Sequence, residues 1–149
     1  MTELIPRPGR PSLPGHDIAL KLTAQSVNHL KEGASLLSQL NGKAVSKAAW
    51  FRLLLSNLGE TPPSRLITAE ALREAWPAAK EMTDGSWVTV RIEEAQRVWL
   101  RQWECFVQSL DWTRELYRNE TASLLVEMQG PALNSMLKLQ IEAQKKRAD

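Results

Sequence analysis

Residues 87–128 read WVTVRIEEAQRVWLRQWECFVQSLDWTRELYRNETASLLVEM, a run without Pro or Gly that Gly130-Pro131 closes. Stepping by three or four from Ile92 gives Ala95, Trp99, Trp103, Phe106, Leu110, Thr113, Tyr117, Thr121, Leu124 and Met128, ten steps over 36 residues. That repeat is the 3.6 pitch of a straight helix, not the 3.5 of a supercoiled zipper. It predicts one long helix, about 87–129, as the spine of the molecule. Four of the six Trp residues (Trp87, Trp99, Trp103, Trp112) fall in it.

Two further apolar rows, one through Val98, Cys105, Trp112 and Leu116 and one through Leu100, Val107 and Leu125, widen the apolar surface beyond a single face. A helix of this length would span roughly 60 Å, whereas a compact chain of this size has a radius of gyration of about 15 Å. Either the helix breaks, near Asp111 or Asn119, or another subunit covers the excess. We prefer the second. It assigns Trp99, Trp103, Phe106 and Leu110 to the core, and Val107, Trp112, Leu116 and Leu125 to partner contacts, because large aromatic side chains dominate interface energetics. Trp87 to Ile92 also show the alternation and β-branching of a short strand. With no second strand evident, the helix is expected to start here, capped by Ser86.

Upstream, residues 5–15 hold four Pro and two Gly, which build neither a helix nor a sheet ladder. Residues 1–16 are therefore expected to be a flexible arm, and 17–149 a single helical domain. Asp17 would cap a first helix carrying Ile18, Leu22, Val27, Leu30, Ala34, Leu37 and Leu40, ending at Asn41-Gly42, where Gly suits the left-handed C-cap. A second helix reads from about Ala44 to Leu58, and Thr61-Pro62-Pro63-Ser64 is a stiff connector. Thr68 caps a short third helix, and Pro131 opens a final one bearing Leu133, Met136, Leu137 and Ile141. The fold class predicted is all-α: a bundle of four or five helices organised on the long one.

At 149 residues and a formal charge of +2, the chain is one domain in length and too balanced to imply nucleic acid on charge alone. Cys105 is its only cysteine, which excludes an intramolecular disulfide and a multi-cysteine zinc site. Met1 to Gly15 contain no apolar run of signal-peptide length, and no segment approaches a membrane span. A soluble cytoplasmic protein is expected.

Catalytic candidates are sparse. His16 falls in the arm and His29 in the first helix, neither with a carboxylate or Cys at metal-ligand spacing. Cys105 reads as a small core residue, and Glu93-Glu94 near Arg97 as a solvated face. There is no Gly-rich phosphate loop. No enzyme, cofactor, metal or small-molecule substrate is expected.

Pro6-Arg7-Pro8-Gly9-Arg10-Pro11 resembles the Pro-Arg-Gly-Arg-Pro core of an AT-hook, interrupted by Pro8; the resemblance implies minor-groove contacts by Arg7 and Arg10. Two helices meeting near Asn41-Gly42 admit a helix-turn-helix over 28–58, with Lys43, Lys47 and Arg52 on its second half, although Trp50, Phe51 and Leu53 to Leu55 leave that helix little polar face. Lys145, Lys146 and Arg147 are a basic C-terminus. The leading reading is a non-enzymatic subunit or adaptor that binds a protein partner or its own copies. The alternative is a nucleic-acid-binding regulator using these basic residues.

Overall fold

The computed structural model describes residues 15–72, 74, 85–110 and 118–148. In chain order the elements are β1 (His16–Leu22), α1 (Ala24–Asn41), α2 (Lys47–Leu58), α3 (Pro63–Leu66), β2 (Ser86–Ile92), α4 (Glu94–Gln108) and α5 (Arg118–Ala148). The molecule is mostly helical but not all-α, because β1 and β2 form an antiparallel two-stranded sheet.

That sheet corrects two expectations at once. Residues 17–22 are not the start of a helix, and residues 87–92 are not the start of the long one. Their register runs from His16 opposite Ile92 to Leu22 opposite Ser86. Leu20 and Leu22 from one strand, and Val88, Val90 and Ile92 from the other, are buried on the inner face, with Ile18 partly buried beside them. Each segment alone is a short alternation. Each becomes a strand because the other supplies its ladder hydrogen bonds.

The two strands lead into their helices in the same way. Each position of β1 has its counterpart 70 residues later, His16 with Ser86 and Leu22 with Ile92, so the ladder is centred on a pseudo-twofold axis at Ala19 and Thr89. One residue follows each strand before the helix begins. Thr23 accepts a hydrogen bond from the Ser26 N–H at 3.1 Å, and the Gln96 side chain accepts one from the Glu93 N–H at 2.9 Å. Both arrangements satisfy donors that a helix N-terminus leaves orphaned.

The long helix does break. α4 ends at Gln108, where the Ser109 N–H bonds back to the Cys105 carbonyl at 3.0 Å and the Ser109 hydroxyl to the Phe106 carbonyl at 2.7 Å. Two helices that pack on each other let one molecule cover apolar surface that a single 60 Å helix would leave bare. Trp103 then reaches α5, its indole N–H donating to the Thr121 carbonyl at 2.7 Å. It stacks on Trp99, with ring centroids 6.2 Å apart and 6° between planes, and Trp99 donates to the Thr61 carbonyl at 2.8 Å. Both Trp residues are buried, as expected; Phe106 and Leu110 pack partly buried against them.

Gly130-Pro131 does not end a helix either, since α5 runs through it. Pro131 deprives the Glu127 carbonyl of its intrahelical donor. Gly130 faces inward: a Cβ there would stand 3.1 Å from the Trp50 ring and 3.5 Å from the His29 Cβ. A Cβ at Gly33 would collide with the pyrrole part of the same indole, whereas Gly130 meets its six-membered ring. Trp50 is thus held between glycines of α1 and α5, and it donates to the Asn134 side-chain carbonyl at 2.8 Å. The Asn134 amide donates in turn to the His29 backbone carbonyl at 3.1 Å.

Other local expectations hold. α1 ends at Asn41 with Gly42 in the left-handed region, φ 70°. Thr68 caps the short helix that follows it, accepting from the Ala71 N–H at 3.1 Å. α2 begins at Lys47 rather than Ala44, because the Ser46 hydroxyl caps it through the Ala49 N–H.

Candidate interaction surfaces

The predicted partner residues separate. Val107 and Leu125 are fully buried within the chain, so their apolar surface is already covered. Trp112 and Leu116 lie outside the described residues. Among the described residues the large apolar side chains left exposed are others: Trp87 (64%), Val98 (45%), Met136 (42%) and Leu139 (71%). Only their position on one side of an amphipathic element could have flagged them, and the wrong element boundaries obscured it.

Met136 lines a groove of about 190 Å³ between α2 and α5 together with Leu54, Asn57, Leu58, Gln129, Ala132 and Leu133. Leu139 stands about one turn further along α5. Val98 borders a second cleft, about 220 Å³, with Arg97, Arg101, Gln102 and Cys105. Cys105 is exposed, not the core residue its row suggested.

A third cleft, also about 220 Å³, opens at the end of the sheet between His16, Asp17, Ile18, Ile92 and the α4 side chains Arg97, Leu100, Arg101 and Glu104. Here His16 is not part of a detached arm. Its Nε2 lies 2.7 Å from Glu94 Oε2, and Glu94 receives two further hydrogen bonds from Arg97, at 2.7 and 3.0 Å. The Arg97 bonds, then the His16 bond, hold the Glu94 carboxyl down to about 2. Sequence spacing could not show the His16–Glu94 pair, whose members are 78 residues apart. Asp17 pairs with Arg91 across the ladder at 3.1 Å.

A polar cluster is buried where β1 passes into α1. The Thr23 N–H donates to the Ser123 hydroxyl at 3.1 Å, and the Ser26 hydroxyl to the Ser123 carbonyl at 3.2 Å. Two atoms on these helices, His29 Nε2 and Glu127 Oε2, are buried without a hydrogen-bond partner among the described residues. Burial pushes the His29 pKa down against the pull of Glu32. Burial raises that of Glu127, and the Thr23 hydroxyl offsets part of the rise.

Of the predicted nucleic-acid contacts, Arg7 and Arg10 lie outside the described residues. α1 and α2 do form a helix pair, but α2 buries Trp50, Phe51, Leu54, Leu55 and Leu58, and Arg52 turns toward the sheet, donating to the Arg91 carbonyl at 3.4 Å. α2 therefore does not stand clear of the body as a recognition helix would. Lys43, Lys145, Lys146 and Arg147 are exposed, and Lys47 is half-buried.

Among the described residues no helix is long and apolar enough to cross a membrane, and no group of three or more His, Cys, Asp or Glu could hold a metal ion. No family model, curated protein or solved structure matches the chain.

Proposed function

We propose that the protein is a non-enzymatic helical interaction protein, a small cytosolic subunit or adaptor that assembles with other chains, its own copies included. The observation that carries this reading is the outer side of α5. Leu139 is 71% exposed, and Met136, 42% exposed, is among the residues that line an apolar groove. Single exposed apolar residues are ordinary on a protein surface, but an exposed methionine lining an apolar groove, with an exposed leucine three residues further along the same helix, is surface of the kind that associating proteins cover.

Light scattering over a range of concentrations tests the reading. The expected mass exceeds the 16.8 kDa of one chain. Replacing Met136→Glu and Leu139→Glu together should return it to that value with the helical circular dichroism unchanged, since both positions are exposed. A wild-type mass of 16.8 kDa at every concentration would overturn self-assembly.

A further inference from the structure

The pseudo-twofold axis between Ala19 and Thr89 relates more than the two strands. Leu53-Leu54-Leu55 and Gly59, in and just after α2, recur 71 positions later as Leu124-Leu125-Val126 and Gly130 in α5. Each of these helices packs on the other half's strand, α2 on β2 and α5 on β1. The hydrogen bonds are exchanged in the same way. Gln96 donates to the Arg52 carbonyl at 3.3 Å, and Ser26, 70 positions before Gln96, donates to the carbonyl of Ser123, 71 positions after Arg52, at 3.2 Å. The chain therefore carries two strand-helix-helix units that face each other across one axis, as two subunits of a twofold dimer would.

The axis of an antiparallel pair stands perpendicular to the sheet. The inner face of this sheet, Leu20, Leu22, Val88, Val90 and Ile92, belongs to the core. The alternate side chains make the outer face: Asp17, Ala19 and Lys21 from β1, and Trp87, Thr89 and Arg91 from β2. Lys21 and Arg91 are half-buried and the other four are exposed. The axis equates Lys21 with Arg91, so a cation stands two positions from the centre on each side. Four residues of strand set them about 14 Å apart along the ladder, which is the rise of about four base pairs of a DNA duplex. Asp17 meets Arg91 across the ladder at 3.1 Å and limits the positions its guanidinium takes up.

A two-stranded ribbon with one face packed and the other in water fits the major groove of B-form DNA, about 12 Å wide. The narrow major groove of an RNA duplex does not admit it. Two cations against one carboxylate make the face complementary to the acceptor edge of guanine, N7 and O6.

We infer that the outer face of the β1–β2 ribbon enters the major groove of duplex DNA and reads a non-palindromic site, Arg91 contacting a guanine of one half and Lys21 a guanine of the other. Identical subunits would match a palindrome. Here the equivalent positions differ, Asp17 from Trp87, Ala19 from Thr89 and Lys21 from Arg91, so the two halves favour different base pairs. The inference does not rest on the α5 patch that carries the assembly reading, and either can fail alone.

The test is selection by the full chain from DNA duplexes carrying about 20 random base pairs, two helical turns. The expected product is one motif that differs from its own reverse complement, with a G·C pair on each side of its centre, and methylation of guanine N7 within it should block binding. Fluorescence anisotropy with the selected duplex then reads the variants. Lys21→Ala and Arg91→Ala should each weaken binding roughly 5- to 150-fold, the range of one good base contact, and lose the preference for the G·C pair in one half only. Arg91→Lys keeps the charge opposite Asp17 and should still lose that preference, which separates base reading from folding.

No enriched motif, a palindromic motif, binding indifferent to N7 methylation, or variants with unchanged base preference would each overturn the inference. Tighter binding to single-stranded DNA than to the duplex would also overturn it, and would assign the face to base stacking on Trp87.

Discussion

Trp50 shows how much can depend on one residue. Its ring fits because Gly33 and Gly130 have no side chains, and its N–H reaches the one buried amide able to link it to the α1 backbone. Gly33→Ala would place a methyl inside the indole. It should cost about 1–3 kcal/mol through forced repacking, measured as a lower urea midpoint. Asn134→Leu leaves the buried Trp50 N–H without its acceptor, a cost of about 1–3 kcal/mol, whereas the His29 carbonyl keeps its place in the α1 ladder. A midpoint unchanged in both variants would remove Trp50 from its central role.

His29 and Glu127 make stability depend on pH in opposite senses. His29 has a folded pKa below its ordinary 6.5. Above 6.5 it is neutral in both states; as pH falls below 6.5 the unfolded chain takes up a proton first, and stability is lost down to the folded value. Glu127 has a folded pKa above 4.5. Its contribution is fully present below 4.5 and is lost as pH rises through the folded value. Urea midpoints measured across pH should therefore show His29→Gln flattening the decline below 6.5, and Glu127→Gln flattening the loss above 4.5. Glu94 acts like an ordinary paired acid, favouring the folded state above 4.5 and losing that effect toward about 2. Solvent screening keeps its contribution small at an exposed site.

At the scale of elements, α5 contradicts a reliable local rule. Gly130-Pro131 reads as a helix boundary, yet the helix continues because its inner side packs on α1 and α2 on both sides of the break, with Leu125, Val126, Leu133 and Leu137 buried. Proline inside a helix is unfavourable by about 3 kcal/mol relative to alanine. Pro131 is exposed, so Pro131→Ala should stabilise the protein, by about 1–3 kcal/mol, with a higher melting temperature. An unchanged or lower value would mean that the backbone at Pro131 is shaped by something other than the missing donor.

The strands make the complementary point. The cap at Thr68, the α1 terminus at Gly42, and the burial of Trp99 and Trp103 were legible because a few neighbouring residues specify each of them. β1 was not. Ile18 and Leu22 fit a loose helical spacing as well as, with Leu20, an alternating one, and the choice between them was made by Val88 to Ile92, far along the chain. The surface sites were lost for the same reason: the His16–Glu94 pair exists only once β1 and β2 are in register.

For the molecule as a whole, the sheet and the α1–α5 pair both join the first half of the chain to the second. Each strand has its ladder partner in the other half, and α1 and α5 pack on each other across the two. Residues 1–84 and 85–149 prepared as separate fragments should therefore melt without cooperativity, and mixing them should restore a cooperative transition in circular dichroism. Cooperative melting of 85–149 alone would show that α4 and α5 suffice for a core, and that β1 and α1 are additions to it.

The amino-acid sequence by itself determined that α1 stops at Gly42 and that a helix caps at Thr68, and which side chains are bulky enough to fill a core. Those properties depend on neighbours within a turn. Only the tertiary structure decided that 16–22 and 86–92 are strands, that the long apolar run divides after Gln108, that a helix passes through Pro131, and that Leu139, not Leu125, faces outward. Each of these turns on surface supplied by distant segments, because ladder hydrogen bonds and buried area are won between elements and can outweigh what either element prefers alone.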